Sequence, residues 1–358
     1  MFWNRYRLLI ILLIVAAIIR IFSLYPEAVE SYYAQGIYPY IAVSLRFLFG
    51  WIPFSFGDIL YGLAIIYLIK ALSLFIRRIL QKRIDAAYLR RSAKNTVLVF
   101  LWVYILFNGL WGLNYNRHGI AKQLGLEIKT YTVAELESVI NLTIDKLHQL
   151  DTLSLEHRNK FYKKNYLFSQ AIQSYERVEM SNPFLEYYRP SVKPSIFSYL
   201  GNYLGYSGYY NPFTGEAQVN TTVPVVLQPF VTSHEIGHQL GFARENEANF
   251  AGYLATRASA DPMVRYSIYF DLYIYAYRNL AAKDSTLARS LHLKLPLVAR
   301  DDLRNLSSFY SRYENPLEPV IRKLYGHYLK ANEQPQGILS YDEVIAWVIA
   351  YWRKYGVI

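Results

Sequence analysis

The chain begins with long, unbroken apolar runs and then changes to the interrupted, amphipathic pattern of a water-facing domain, which predicts two modules. Leu8 to Leu24 is the first run, long enough for a helix across a bilayer, with Arg20 near one end where its stem reaches the interface. No small-x-small cleavage pattern accompanies it, so it reads as an uncleaved anchor rather than a signal peptide. Ile59 to Ile76 and Thr96 to Leu113 are the second and third runs, the latter with Trp102, Trp111 and Tyr115 placed as interface anchors. Gly36 to Trp51 is apolar but short and broken by Pro39 and Arg46, which predicts an interfacial or re-entrant helix.

Beyond residue 115 the period becomes that of half-buried helices. Thr132 and Glu135 form a capping box ahead of Leu136, Ile140, Leu147 and Leu150. Pro183 to Pro194 reads as an irregular loop, and Gly205 to Val225 as a hairpin or edge strand, with turn residues first and alternation through Ala217, Val219 and Thr221 afterwards. Helices follow over Val264–Leu280, Asp301–Tyr313, Glu318–Leu329 and Tyr341–Tyr355. Ser340 and Glu343 cap the last of these, and Trp347 and Trp352 pack on the domain or touch lipid. Arg265, Asp271 and Arg278 mark the first as a buried core helix rather than a further span. The expected fold is mainly α: a membrane domain over 1–115 with three transmembrane helices, then an extracytoplasmic domain over 116–358, mostly helical with a small β-sheet or hairpin.

Composition supports this division. Hydrophobic residues make up 53% of the 358 and charged ones 18%, too greasy a balance for an ordinary soluble enzyme. The net charge of +11 does not indicate nucleic acid, because of where it sits. Arg5, Arg7 and the seven basic residues from Arg77 to Lys94, against Asp85 alone, carry eight of those charges beside the apolar runs. That is the positive-inside pattern, with 77–94 a basic cytoplasmic loop and everything after Tyr115 on the outer face. With no cysteine, thiolate metal sites and thiol nucleophiles are excluded.

The candidate chemistry lies in Pro229 to Leu254. His234-Glu235-Ile236-Gly237-His238 is an H-E-x-x-H on an expected helix, where four steps bring His238 back to within roughly 40° of His234. Two imidazoles then project side by side, as a tetrahedral zinc site requires. Glu235 lies about 60° round from His238, placed as a general base toward a water at the metal. Gly241 terminates the helix, and a second begins near Arg244 with Glu245 and Glu247 about 200° apart, so that one of them faces the metal. Glu245 is the favoured ligand, with Asn249 supporting a histidine from behind; Glu247 is the alternative ligand.

The grouping H-E-x-x-H followed by Glu245, Ala248 and Asn249 resembles the gluzincin-like metallopeptidases, whose zinc is held by two histidines and a glutamate. Here Glu245 follows His238 after one short turn, where most of that group has a long insertion. Over its whole length the chain resembles an uncharacterised family of bacterial membrane proteins, a domain of unknown function. The likeness rests on 52–58, 111–117, 211–217 and the His-Glu block. The resemblance implies a zincin-like domain anchored in the bacterial cytoplasmic membrane by several spans, its C-terminal part periplasmic or extracellular.

The function expected is zinc-dependent hydrolysis of peptide bonds outside the membrane, with peptide or protein as substrate, lipid around the anchor and no nucleic acid partner. The hairpin is placed to bind an extended substrate by strand addition, with Tyr210 and Glu216 as substrate-binding candidates. Tyr209, Tyr210, Arg244 and His327 are candidates to hold the oxyanion. The rival is a non-hydrolytic, zinc-stabilised receptor or assembly factor. Intramembrane proteolysis fits poorly, because Gln239, Arg244, Asn246 and Glu247 around the motif are too polar for a lipid-embedded helix.

Overall fold

The computed structural model describes residues 2–335, 337 and 343–358, with side chains from Tyr6 onward. It is mainly helical with one small sheet. The N-terminal part comprises α1 (Phe2–Ser23), the short α2 (Pro26–Ala28), a π-helical stretch Val29–Ile37, α3 (Tyr38–Phe49), α4 (Phe56–Leu80) and α5 (Ala86–Leu110). Tyr6–Ser23, Phe56–Leu80 and Ala86–Leu110 are long and apolar enough to cross a membrane. Of these helices α5 packs along α1, and α4 meets α5 near their shared turn, where the Phe75 and Tyr88 rings stack with centroids 6.4 Å apart.

The ends of these helices follow from capping. Ser55 accepts from the backbone N–H of Asp58 at the start of α4, and Asp85 from that of Tyr88 at the start of α5. The expected basic loop 77–94 is therefore mostly helix: Arg77 and Arg78 close α4, while Arg90, Arg91 and Lys94 lie in the first turns of α5. Only 81–85 turns the chain. Lys94 lies over the Tyr6 ring at 6.0 Å, so α1 starts at this same basic end.

The third apolar helix also ends earlier than its hydropathy predicts. It stops at Leu110, and Gly112–Asn116 is a 3-10 turn with Trp111, Leu113 and Tyr115 buried. Trp111 and Tyr115, expected as interface anchors, are instead core residues. The Gly36–Trp51 segment likewise folds into protein rather than lying free at an interface, with Tyr38, Ala42 and Arg46 buried. These segments cross the expected border at residue 115: the Glu30 carboxylate accepts from Arg117 Nη2 at 2.9 Å and Nε at 3.2 Å, and from the His118 N–H at 3.0 Å.

The remainder contains α6 (Ile120–Leu124), α7 (Val133–Arg158), α8 (Lys164–Val178), α9 (Ser198–Leu204), α10 (Gln228–Gln239), α11 (Glu245–Arg257), α12 (Pro262–Lys283), α13 (Ser285–His292), α14 (Leu297–Tyr313), α15 (Glu318–Ala331) and α16 (Val344–Tyr355). The capping box at Thr132 and Glu135 forms as predicted. The one predicted at Ser340 lies outside the described residues. The main core forms where α12 lies against α7, and α10 packs against α8, α11 and α12. Trp347 is buried against Phe250, with ring centroids 5.5 Å apart.

The sheet has three strands, β1 (Val192–Pro194), β2 (Gly208–Asn211) and β3 (Glu216–Val219), in the order β1-β3-β2. β2 and β3 form the predicted hairpin, Tyr210 opposite Ala217, and β1 joins β3 in parallel with Val192 opposite the same residue. The β1 strand lies in the stretch expected to be loop, too short to show alternation. β2 lies at the edge of the sheet.

Candidate metal centre

Helix α10 carries the H-E-x-x-H, and local sequence determines where it starts and stops. Pro229 sits in its first turn, where a missing N–H costs nothing, and Gly241 reverses the chain at φ +85°. Helix α11 then returns alongside. The contact is close: a Cβ at Gly237 would stand 3.1 Å from the Ala248 carbonyl oxygen. A larger residue there would push the two helices, and the groups they carry, apart.

The last carbonyls of a helix have no partner within it and must find donors elsewhere. Here the N-terminal segments supply them. Trp111 Nε1 donates to the His238 carbonyl at 2.9 Å, Tyr38 Oη and Arg46 Nη1 to that of Gln239 at 2.8 and 3.1 Å, and Arg117 Nη1 to that of Gly241 at 3.3 Å. The Gln239 side chain ties the same end to the sheet, donating to Ser191 O and Gly215 O at 2.9 and 2.7 Å. The motif is therefore held by both halves of the chain.

The imidazoles are oriented from behind. His238 Nδ1 lies 2.8 Å from the Phe242 carbonyl, which only accepts, so that nitrogen carries the proton and Nε2 presents its lone pair forward. His234 Nδ1 lies 2.7 Å from Asn249 Oδ1, the support expected of Asn249. Both Nε2 atoms face one carboxylate oxygen, Glu245 Oε2, at 3.3 Å from His234 and 3.6 Å from His238. Glu235 joins them, and His234, Glu235 and His238 form a buried group whose ligand atoms lie within 4.8 Å of one another. Of the two carboxylates, Glu245 makes the shorter approaches to the imidazoles, within 4 Å of both.

Glu247 points elsewhere. Its oxygens lie against Gly119, and Oε1 is 3.5 Å from Arg244 Nη1. The 200° separation on α11 thus places Glu245 at the histidines and Glu247 on the far side.

Converging lone pairs and a carboxylate could hold a cation between them. Glu245 Oε2 and Glu235 Oε2 are buried with no hydrogen-bond donor, a costly arrangement for anionic oxygens unless a positive charge completes it. Two imidazoles with a carboxylate are the donor set that suits a borderline divalent ion. With only protons to share, burial disfavours a charged His238, but Glu245 outweighs it and pushes the imidazole up to about 9. Burial also opposes ionisation of Glu245, yet the two histidines hold its carboxyl well below the usual range. Burial pushes Glu235 up to about 7, tempered by both histidines. Neighbouring carboxyls are thus driven in opposite directions, Glu245 held charged and Glu235 pushed up toward neutral pH.

These groups line a cavity of about 570 Å³, within the range of small-molecule sites. Gly208, Tyr209 and Tyr210 of β2 form one wall. Gly208 is needed there: a Cβ would lie 2.5 Å from Glu235 Oε1. A glycine within a strand signals close approach of another group, the one sequence cue to this contact. Tyr325 of α15, not foreseen, lines the cavity and donates to Glu245 Oε1 at 2.7 Å. Nothing in the pattern distinguishes it among 35 tyrosines.

Of the two expected substrate contacts, Glu216 has another role and Tyr210 stays at the cavity. Glu216 is wholly buried and caps α4, accepting from the N–H of Gly57 at 2.6 Å and of Phe56 at 3.2 Å. A helix N-terminus is a natural seat for a carboxylate, and only the tertiary fold brings this one over the hairpin. Tyr210 keeps its ring in the cavity wall, 5.1 Å from Trp111, while its hydroxyl is buried. Among the oxyanion candidates, Tyr209 is bound to Asp58. Arg244 donates to Tyr115 O, His327 is tied to Lys323 O, and neither lines the cavity.

The fold and site define a helical protein with three potential membrane-crossing helices and a buried His-Glu-His group able to hold a metal ion. Residues 33–349 match the family described as a protein of unknown function, DUF3810, and the chain belongs to that family. No curated protein and no solved structure matches it.

Proposed function

We propose that this protein is a membrane-anchored zinc metallopeptidase that hydrolyses peptide bonds outside the cytoplasmic membrane, with a zincin-like domain on a three-span anchor. The observation carrying this reading is the convergence of His234 Nε2, His238 Nε2 and a Glu245 oxygen at 3.3–3.6 Å, beside Glu235 and at the wall formed by an edge strand. His234, His238 and Glu245 hold the ion, which when bound supplies a Lewis acid that acidifies water and polarises a carbonyl.

Extended substrate lies along β2, its backbone pairing with the strand edge. Glu235 takes a proton from the attacking water and delivers it to the leaving nitrogen. The C–N bond breaks as the water oxygen bonds the carbonyl carbon, giving a carboxylic acid and an amine. Tyr325, on the cavity wall beside Glu245, is the hydroxyl assigned to steady the developing oxyanion. The clustering of Arg77, Arg78, Lys82, Arg83, Arg90, Arg91 and Lys94 at the end of α4 and α5 remote from the site supports an outward-facing domain.

Glu235→Gln tests this reading. Purified full-length protein should bind one zinc in wild-type and variant alike, by elemental analysis, while the variant loses cleavage of any peptide the wild type cuts. A variant that supports full function in cells would favour the non-hydrolytic receptor, and wild type without zinc would overturn the metal site.

A further inference from the structure

The cavity does not end at the metal site. Its other limb is walled by Tyr61 of α4 and by Phe100, Val103, Tyr104 and Phe107 of α5, residues of two of the helices suited to cross a membrane. Phe100 is ten residues before the end of α5, so this limb follows the helix for about 15 Å, half the thickness of a bilayer's hydrocarbon core. Phe100 is 70% exposed and Val103 49%, leaving the deep end open sideways where lipid would lie. No charged residue lines this limb.

From this continuity we infer that the substrate carries a hydrocarbon chain: a lipid-linked amide or peptide whose acyl chain occupies the limb between α4 and α5 while its amide lies at the His-Glu-His group. This rests on the metallopeptidase reading above and specifies its substrate class. A polypeptide threaded into the same limb would leave its amide groups facing Phe100, Val103 and Phe107, without partners and away from water. A hydrocarbon chain has no such groups. The limb then selects by burying methylenes, each adding about 0.8 kcal/mol, or about fourfold in affinity. The bond broken is the amide C–N, water supplying the hydroxyl to the carbonyl carbon and, through Glu235, the proton to the amine. The same chemistry serves a lipidated peptide terminus and a free lipid amide.

The test uses full-length, zinc-loaded protein in a fixed concentration of detergent, titrated with acetyl, octanoyl, dodecanoyl and hexadecanoyl hydroxamates. Affinity should rise with chain length by at least tenfold from acetyl to dodecanoyl, then level off where the limb is full. Val103→Trp, which blocks the limb, should move that plateau to shorter chains, and Phe100→Ala, which opens it, to longer ones. Detergent partitioning is common to all variants and does not move the plateau between them. Chain-independent binding, or a plateau that neither substitution shifts, overturns the acyl-chain inference and leaves the metal site standing. Protein that holds zinc but binds no hydroxamate has no open metal position and overturns both readings. If long-chain binding is found, competition by a lipidated peptide against a simple lipid amide identifies the source of the chain.

Discussion

Glu245 and Glu247 stand two residues apart on one helix, and replacing each by glutamine separates the proposed metal ligand from a buried neighbour. With free zinc buffered at about a hundred times its Kd, the wild type gains about 2.7 kcal/mol of stability. Glu245→Gln removes the negative charge from 3.3 and 3.6 Å of the two imidazole nitrogens. Loss of an outer partner alone weakens a metal site by about 10–100-fold, and loss of a ligand by at least the upper figure. At a hundredfold loss the same zinc only half fills the site, and the gain falls to about 0.4 kcal/mol. At about 2–4 °C per kcal/mol, a wild-type zinc shift of about 5–10 °C shrinks to about 1 °C. Glu247→Gln faces Gly119 and Arg244, away from the ion, and should keep the full shift. Thermal unfolding in detergent, with zinc and with chelator, reads both. A Glu245→Gln protein that retains the wild-type shift, or a Glu247→Gln protein that loses it, refutes the assignment.

Three further outcomes are expected. Gly208→Ala, whose methyl would lie 2.5 Å from Glu235 Oε1, should displace the base and lower turnover by about 100-fold with zinc content unchanged, measured on a peptide the wild type cleaves. Glu216→Ala removes the carboxylate at the start of α4 and should cost about 2–3 kcal/mol in denaturant unfolding, with no direct loss of a substrate contact. Burial pushes Asp271 up to about 7, opposed by Arg278 and His234. Its folded pKa therefore lies above the unfolded value, so its contribution is greatest in acid and is lost as pH rises from about 4 to about 7. Asp271→Asn should thus be more stable than wild type at pH 8 and nearly equal to it at pH 4, and equal melting temperatures at both would contradict the burial argument.

Much of the site could be read from the chain because the metal motif is local. His234, Glu235 and His238 lie within about one helical turn, so spacing places these three groups, and the tight return at Gly241 narrows the fourth to Glu245 or Glu247. The three long apolar helices were legible for the same reason, since a bilayer requires a continuous run. What spacing did not reveal depends on distant packing. Trp111 looks like an interface anchor until its indole is seen on the His238 carbonyl, 127 positions away. Glu216 looks like a surface acid until α4 begins above it. Tyr325 is one tyrosine among many until α15 lays it beside Glu245. The β1 strand, three residues long, carries too few positions to show a period.

The hydrogen bonds that Tyr38, Arg46, Trp111 and Arg117 make to the end of α10 have a practical consequence for handling the molecule. A fragment beginning at residue 118 would strip donors from the carbonyls of His238, Gln239 and Gly241 directly behind the imidazoles, leaving the motif intact in sequence and unmoored in space. The apolar N-terminal helices and the His-Glu-His group are tied into one packed unit here, and a fragment lacking the former would reveal nothing about the intact protein.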